Sequence, residues 1–395
     1  MDRAPERAWR KPMVARNASE PHRPATTLEL FFDLCFVVAV AQASSALHHA
    51  IAEDHVGHGV LGFLLVFFAI WWAWMNFTWF ASAYDTDDVP YRVATLVMIT
   101  GALVLAAGVP RAFASSDFGI ITLGYVIMRV ALVANWLRAA RTDLARRATA
   151  LRYAAGISVV QVGWALRLTF PDDWLLPGFL VLAAGELLVP VFAERAAPTT
   201  WHPQHIAERY GLFTIIVLGE SVLAAAVAVQ SALDAGHNGG LLTLAAAGAV
   251  IVFSMWWLYF DEPAHELLTS LTASLRWGYG HYLIFASGAA AGAGLAVAVD
   301  YHTGDAHVPA AAAHYATALP VGTYLLAVWI MHVRPRRRPL AVAAYPLIAA
   351  LVLAAPFGPS PIHVIALLLA ALVGVTVVAK QTAPHGGPEG PPSSE

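Results

Sequence analysis

Thr27-Leu-Glu-Leu-Phe-Phe-Asp-Leu-Cys-Phe-Val-Val-Ala-Val-Ala-Gln-Ala-Ser-Ser-Ala-Leu-His48 decides how the rest of the chain is read. A helix that crosses a bilayer needs roughly 20 mostly apolar residues, and this stretch has that length while carrying Glu29 and Asp33 in its first turns. Glu29, Asp33, Val37, Val40 and Ser44 share one side of a helix at 3.6 residues per turn. Acids are costly in hydrocarbon, so that side is expected to face other helices or water.

Working outward, apolar runs of similar length recur to the end of the chain. Of 395 residues 58% are hydrophobic and only 12% charged, where a soluble domain is charged at about 25% of positions. Twelve spans are predicted, at about 28 to 47, 60 to 80, 91 to 110, 118 to 137, 151 to 168, 174 to 193, 211 to 230, 241 to 260, 280 to 299, 311 to 331, 340 to 356 and 362 to 379. The fold class is therefore an all-α integral membrane protein. A net charge of -3 gives nucleic acid no reason to bind. The one cysteine, Cys35, excludes a disulfide framework and a Cys-based metal site. Residues 1–26 have no apolar core of the kind a signal peptide needs, so the first span is expected to remain as an anchor.

Lys and Arg test the span count, because short cytoplasmic loops hold most of them. With the N-terminus inside, 20 of the 23 fall in inner segments, Arg111 and Arg167 fall outside, and Arg129 lies within a span. Arg209 is read as an inner-loop charge on this count. Both termini are thus expected in the cytoplasm and the protein in a bacterial inner membrane. Residues 1–26 read as a disordered basic arm, 27–197 and 198–380 as two six-helix halves, and 381–395 as a disordered tail. The halves carry a weak repeat: Glu29-Leu-Phe-Phe-Asp opens span one and Glu208-Arg-Tyr-Gly-Leu opens span seven. Each following span ends in aromatics and an acid, Asp85 in one case and Asp261 in the other. An even offset of six spans makes the halves parallel, so spans one and seven are expected to meet near the centre.

Three stretches carry a family resemblance: Leu28-Glu-Leu-Phe-Phe-Asp-Leu-Cys-Phe-Val37, Tyr84-Asp-Thr-Asp-Asp-Val-Pro-Tyr-Arg92 and Glu208-Arg-Tyr-Gly-Leu-Phe-Thr-Ile-Ile-Val-Leu-Gly-Glu-Ser221. Together they resemble the bacterial low temperature requirement protein A (LtrA) family over about 24 to 380. The resemblance implies an integral membrane protein and supplies no mechanism. Cys35 stands where the family usually has Val. A more distant likeness, at Phe31-Phe32-Asp33, is to the pore-helix motif of TMEM175-type potassium channels, and the second half lacks the corresponding Asp.

The candidate residues each have a functional and a structural reading. Glu29 and Asp33 could line a cation path, or could cap the helix start and complement its dipole. Arg129, Glu186 and Glu220 lie about 14 to 18 Å into their spans at 1.5 Å per residue, near the middle of the bilayer. A charge there needs a partner, a proton or water. Arg129 is expected to pair with Glu186 or Glu220, and Glu220 beside Ser221 could instead touch a substrate. Asp85, Asp87 and Asp88 could hold a divalent cation, although Asp87 or Asp88 ahead of Pro90 also reads as a helix N-cap. His48, His49, His55 and His58, with Glu53 and Asp54, show no metal-ligand spacing, and His202 and His205 sit in an inner loop. Trp71, Trp72, Trp74 and Trp79 read as a span with its interfacial belt, or as the lining of a cavity.

No protease, hydrolase, P-loop or dinucleotide motif is present in the sequence, and no enzyme activity, cofactor or metal is expected. The expected partners are the lipid bilayer and a small ion or solute, moved by a transporter or channel-like conduit in which Asp33 and Glu220 form staggered sites. A membrane scaffold or stress-response component with structural buried charges is the other reading.

Overall fold

The first helix starts where its capping residues dictate. Thr26 takes an extended conformation and its Oγ1 accepts from the Glu29 amide at 3.3 Å, while Glu29 Oε2 accepts from the Thr26 amide at 2.7 Å. This capping box satisfies two donors that a helix N-terminus leaves open. Asp88 caps the third helix, accepting from the Tyr91 amide at 3.0 Å ahead of Pro90.

The computed structural model describes residues 9–17, 20, 23–234, 236, 240–336 and 339–381. Within them the chain forms twelve long α-helices and no strands: α1 Thr27–Ala52, α2 Val56–Tyr84, α3 Val89–Ser115, α4 Gly119–Thr142, α5 Arg147–Arg167, α6 Asp172–Glu194, α7 Pro203–Asp234, α8 Leu241–Phe260, α9 Leu271–Thr303, α10 Ala310–Val328, α11 Pro339–Ala354 and α12 Pro361–Gln381. By length and composition, eleven can cross a membrane; α5, with Arg147, Arg152 and Arg167, falls short.

Packing runs α1 on α3, α3 on α4, α4 on α5 and α5 on α6, and again α7 on α9, α9 on α10, α10 on α11 and α11 on α12. Contacts of α1 with α7 and α9 join the two sets. The most enclosed helix is α9, where small residues let backbones approach. A side chain at Gly294 would collide with the Ala316 carbonyl of α10, and one at Gly292 with Ser221 of α7.

Three expectations need correcting. First, α7 begins at Pro203 rather than near 211, with Pro at its first position, where a missing N–H costs nothing. Arg209 therefore lies inside a helix and is fully buried, not in a loop. Second, the described part of the arm is not loose. Met13 is buried, its carbonyl accepts from Thr142 Oγ1 at 2.7 Å, and the Arg16 amide donates to the Ala83 carbonyl at 2.9 Å. Residues 1–8 and the tail beyond Gln381 lie outside the described residues. Third, Trp71, Trp72 and Trp74 are not an interfacial belt: all are interior, at 2% exposure or less. A run of apolar residues shows that a helix is buried or in lipid, but not which of the two.

Candidate functional site

Two buried charge clusters occupy the first half and its junction with α7. The first is built on the opening stretch. Asp33 accepts from Arg209 Nε at 2.7 Å and Nη2 at 2.5 Å, and from Trp74 Nε1 at 2.6 Å. Glu29 Oε1 stands 3.2 Å from Arg209 Nη1, 3.1 Å from His205 Nε2 and 3.7 Å from Arg23 Nη2. Arg23, from the arm, also donates to the Ala81 carbonyl at 2.7 Å and to the Ser82 carbonyl, at the end of α2. Every member is buried to 3% exposure or less. Both acids thus face guanidinium groups, so the arrangement is a clasp between α1, α2, α7 and the arm.

The second cluster joins α2, α4, α5 and α6. Arg129 Nη2 lies 3.1 Å from Glu186 Oε2 and donates to the Tyr125 hydroxyl. Glu186 also accepts from Trp72 Nε1 at 2.8 Å, Trp164 Nε1 at 3.2 Å and Tyr125 at 3.4 Å. Four donors fill the acceptor sites of this carboxylate, whereas Arg129 Nε and Nη1 have no partner among the described residues. Between Glu186 and Glu220, the expected candidates, the structure places Glu186 on Arg129.

This layer separates two clefts. One, of about 420 Å³, is lined by Phe68, Phe118, Tyr125, Trp164, Arg167 and Phe179, toward the end of the bundle where α4 begins and α5 finishes. The other, of about 450 Å³, is lined by Trp72, Asn76, Trp79, Tyr153 and Glu194, toward the arm. Tyr125 and Trp164 border the first, Trp72 the second, and all three donate to Glu186.

The remaining candidates are dispersed. Glu220 is half-buried on α7 and makes no hydrogen bond or ion pair with the described residues. Its neighbour Ser221 turns inward and donates to the Gly288 carbonyl of α9 at 3.0 Å. The structure therefore does not gather Asp33, Glu220 and Ser221 along one path. Asp88 pairs with Arg138 (2.9 Å), Asp87 with Arg92 (2.7 Å) and Asp261 with Lys380 (2.8 Å). Asp85, in the loop before α3, lies 3.8 Å from Arg16. Burial, then repulsion by Glu29, pushes its carboxyl up to about 6.

Of the outer histidines, His48 contacts Asp300 at 2.6 Å, His55 stands 3.9 Å from Glu53 and His58 meets the Phe113 carbonyl at 2.6 Å. His49 stacks on His48, and Asp54 takes a left-handed turn conformation. His202 meets the Glu20 carbonyl at 2.8 Å. Among the described residues no three His, Cys, Asp or Glu side chains are arranged to hold a metal ion.

Sequence reasoning missed Arg209, Trp72, Trp74, Tyr125 and Trp164 as partners of the acids. A signal for the first was present: Pro203 followed by His205, Glu208 and Arg209 is compatible with a helix start, and Arg209 is followed directly by the apolar run.

A protein of Rhizobium meliloti (strain 1021), itself described as uncharacterized, is 28% identical over 293 residues, covering 67% of each chain. No solved structure matches. The sequence profile of the bacterial low temperature requirement A protein (LtrA) matches residues 24–379, almost the whole chain, and the protein belongs to that family.

Proposed function

We propose that the protein is a transporter of a small solute, and that the solute passes through the first half between α2, α4, α5 and α6. One observation carries this reading: the Arg129–Glu186 layer, ringed by Trp72, Tyr125 and Trp164, divides two clefts that lie toward opposite ends of the same four helices. A site at mid-membrane, closed on both sides by side chains and approached from either end, suits alternating access. Paired charges cross hydrocarbon at lower cost than lone ones, and the spare donors of Arg129 leave the layer able to accept a further polar group.

The two halves are read as parallel repeats. The packing order of α1 to α6 recurs in α7 to α12, and a cleft between α8, the segment that follows α10, α11 and α12 is lined by Tyr345, six residues into α11 as Tyr153 is six residues into α5. Lys and Arg concentrated at the arm's end support a reading with both termini in the cytoplasm and the protein in the bacterial inner membrane. Asp33 and Glu29, satisfied by Arg209, serve as the structural clasp of this machine rather than as its path.

Current recordings on solid-supported membranes carrying the protein test the reading. Organic acids, organic cations and alkali ions are applied in turn, and at least one class is expected to give a current that Glu186→Gln removes. Absence of current from every class, with the protein inserted and folded, favours the scaffold reading instead.

A further inference from the structure

The buried arginines differ in one respect. Arg23, Arg129, Arg138 and Arg209 each stand within 4.0 Å of a carboxylate, respectively that of Glu29, Glu186, Asp88 and Asp33. Arg167 is as buried, at 3% exposure, and has no carboxylate partner among the described residues. Its Nε donates to the Leu175 carbonyl at 2.8 Å. Its guanidinium carbon lies 5.2 Å from the ring centre of Phe118, 5.5 Å from Phe179 and 6.0 Å from Trp164. Aromatic faces hold a cation in place and offset part of its charge. They offer nothing to its remaining N–H groups.

Those three rings and Arg167 are walls of the cleft beside Tyr125. We propose that this cleft binds a small organic anion with an apolar body, whose carboxylate is held by Arg167 and whose body lies against Phe68, Phe118, Trp164 and Phe179. The chemistry follows from what is missing. A guanidinium fork matches a carboxylate through two parallel hydrogen bonds, and among the described residues this is the one buried fork without one. The walls exclude a strongly hydrated ion, because they could not replace its water. Arg129 beneath Tyr125 adds a second cation on the side toward which the ligand would move. The proposal rests on the transport reading for its purpose and names the class of solute; binding is measured apart from movement.

The test is equilibrium dialysis of the full-length protein in lipid nanodiscs with radiolabelled benzoate, competed by benzyl alcohol and benzylammonium, which vary the head on a similar body. Benzoate is expected to bind saturably, with benzylammonium competing about tenfold more weakly or worse. Arg167→Gln should weaken benzoate by about tenfold or more, and Arg167→Lys by less. Arg152→Gln, at an arginine that lies over Phe192 instead, should change nothing. Leu65→Trp, which fills the cleft from α2 and leaves the arginine in place, should abolish binding and carries the test if Arg167→Gln fails to fold. No saturable benzoate binding, equal competition by the three heads, or undiminished binding by Arg167→Gln overturns the proposal. Retention of phosphatidylglycerol by the wild type but not by Arg167→Gln, without benzoate binding, assigns the cleft to lipid and also overturns it. Benzoate that binds without being moved leaves the site standing and removes the transport reading; transport of other solutes without benzoate binding does the reverse.

Discussion

The Asp33–Arg209 clasp and the Arg129–Glu186 layer use the same chemistry, a buried acid with an arginine and a tryptophan N–H on it, and are built to different ends. In the clasp, two acids of α1 take three positively charged or ionisable groups, Arg23, His205 and Arg209, and these partners come from α7 and the arm. In the layer the acid is saturated by four donors, and a cleft lies toward each end of the bundle, whereas Glu29 Oε1 in the clasp makes ion pairs without a well-aligned hydrogen bond. The difference teaches that burial of charge by itself does not mark a functional site in a membrane. What sets the layer apart is open space on either side of the charges.

The largest effect is expected at the clasp. Arg209→Leu strands Asp33 and most of Glu29's compensation in a sealed interior, which should cost about 3 to 5 kcal/mol and most of the folded yield. Adding Asp33→Leu should restore part of that yield, because two buried groups removed together harm less than one left alone. Size-exclusion chromatography of the solubilised protein reads both. If Arg209→Leu folds normally, the two clusters do not differ in the way described.

Glu186→Gln should do the opposite. The amide oxygen can still accept from Trp72, so folded yield should drop far less than in Arg209→Leu, while solute-driven current disappears. Equal loss of yield in the two variants would erase the contrast.

A smaller effect comes from Asp85, beneath the arm. Its carboxyl is raised from 3.8 to about 6, so the folded form holds a proton that the unfolded chain has already released. That favourable contribution is complete below about pH 4 and is lost as pH rises through about 6, after which a buried charge remains. Asp85→Asn should therefore raise the thermal midpoint at pH 8, by on the order of 1 to 2 kcal/mol in stability, and leave it nearly unchanged at pH 4. Melting curves across pH 4 to 8 check the sign. The smallest expected loss is Thr26→Ala, which removes one half of the capping box and should cost about 1 kcal/mol.

Much of the architecture was legible because hydrocarbon imposes a length: the twelve apolar runs became α1 to α12, with ends extended into polar sequence at α7 and α9. Those extensions are where reading failed. Hydropathy falls over His205, Glu208 and Arg209, yet the helix continues there because Asp33 and Glu29 neutralise the arginine from another helix. No local pattern encodes that pairing. The arm misled for a related reason: prolines and arginines read as disorder, but Arg23 finds the open carbonyls at the end of α2 and Met13 finds the core. For the layer, Arg129 and Glu186 were visible as misplaced charges at matching depth. Trp72 and Trp164 were not, since an indole in an apolar run looks the same whether it meets lipid or a carboxylate. The cleft toward the arm was partly legible, since Trp72 and Trp79 line it as the cavity reading of the tryptophans had it; the one beside Tyr125 was not, because its walls come from four separate helices.

Cysteine accessibility tests the central claim most directly, because it needs no known solute. In a Cys35→Ser background, Thr122→Cys marks the cleft beside Tyr125 and Asn76→Cys the cleft beside Trp79. A membrane-impermeant thiol reagent is applied to sealed vesicles of each orientation. Thr122→Cys should react only from the face opposite the arm and Asn76→Cys only from the arm's face; reaction of both from one face, or of neither from any, would contradict the account.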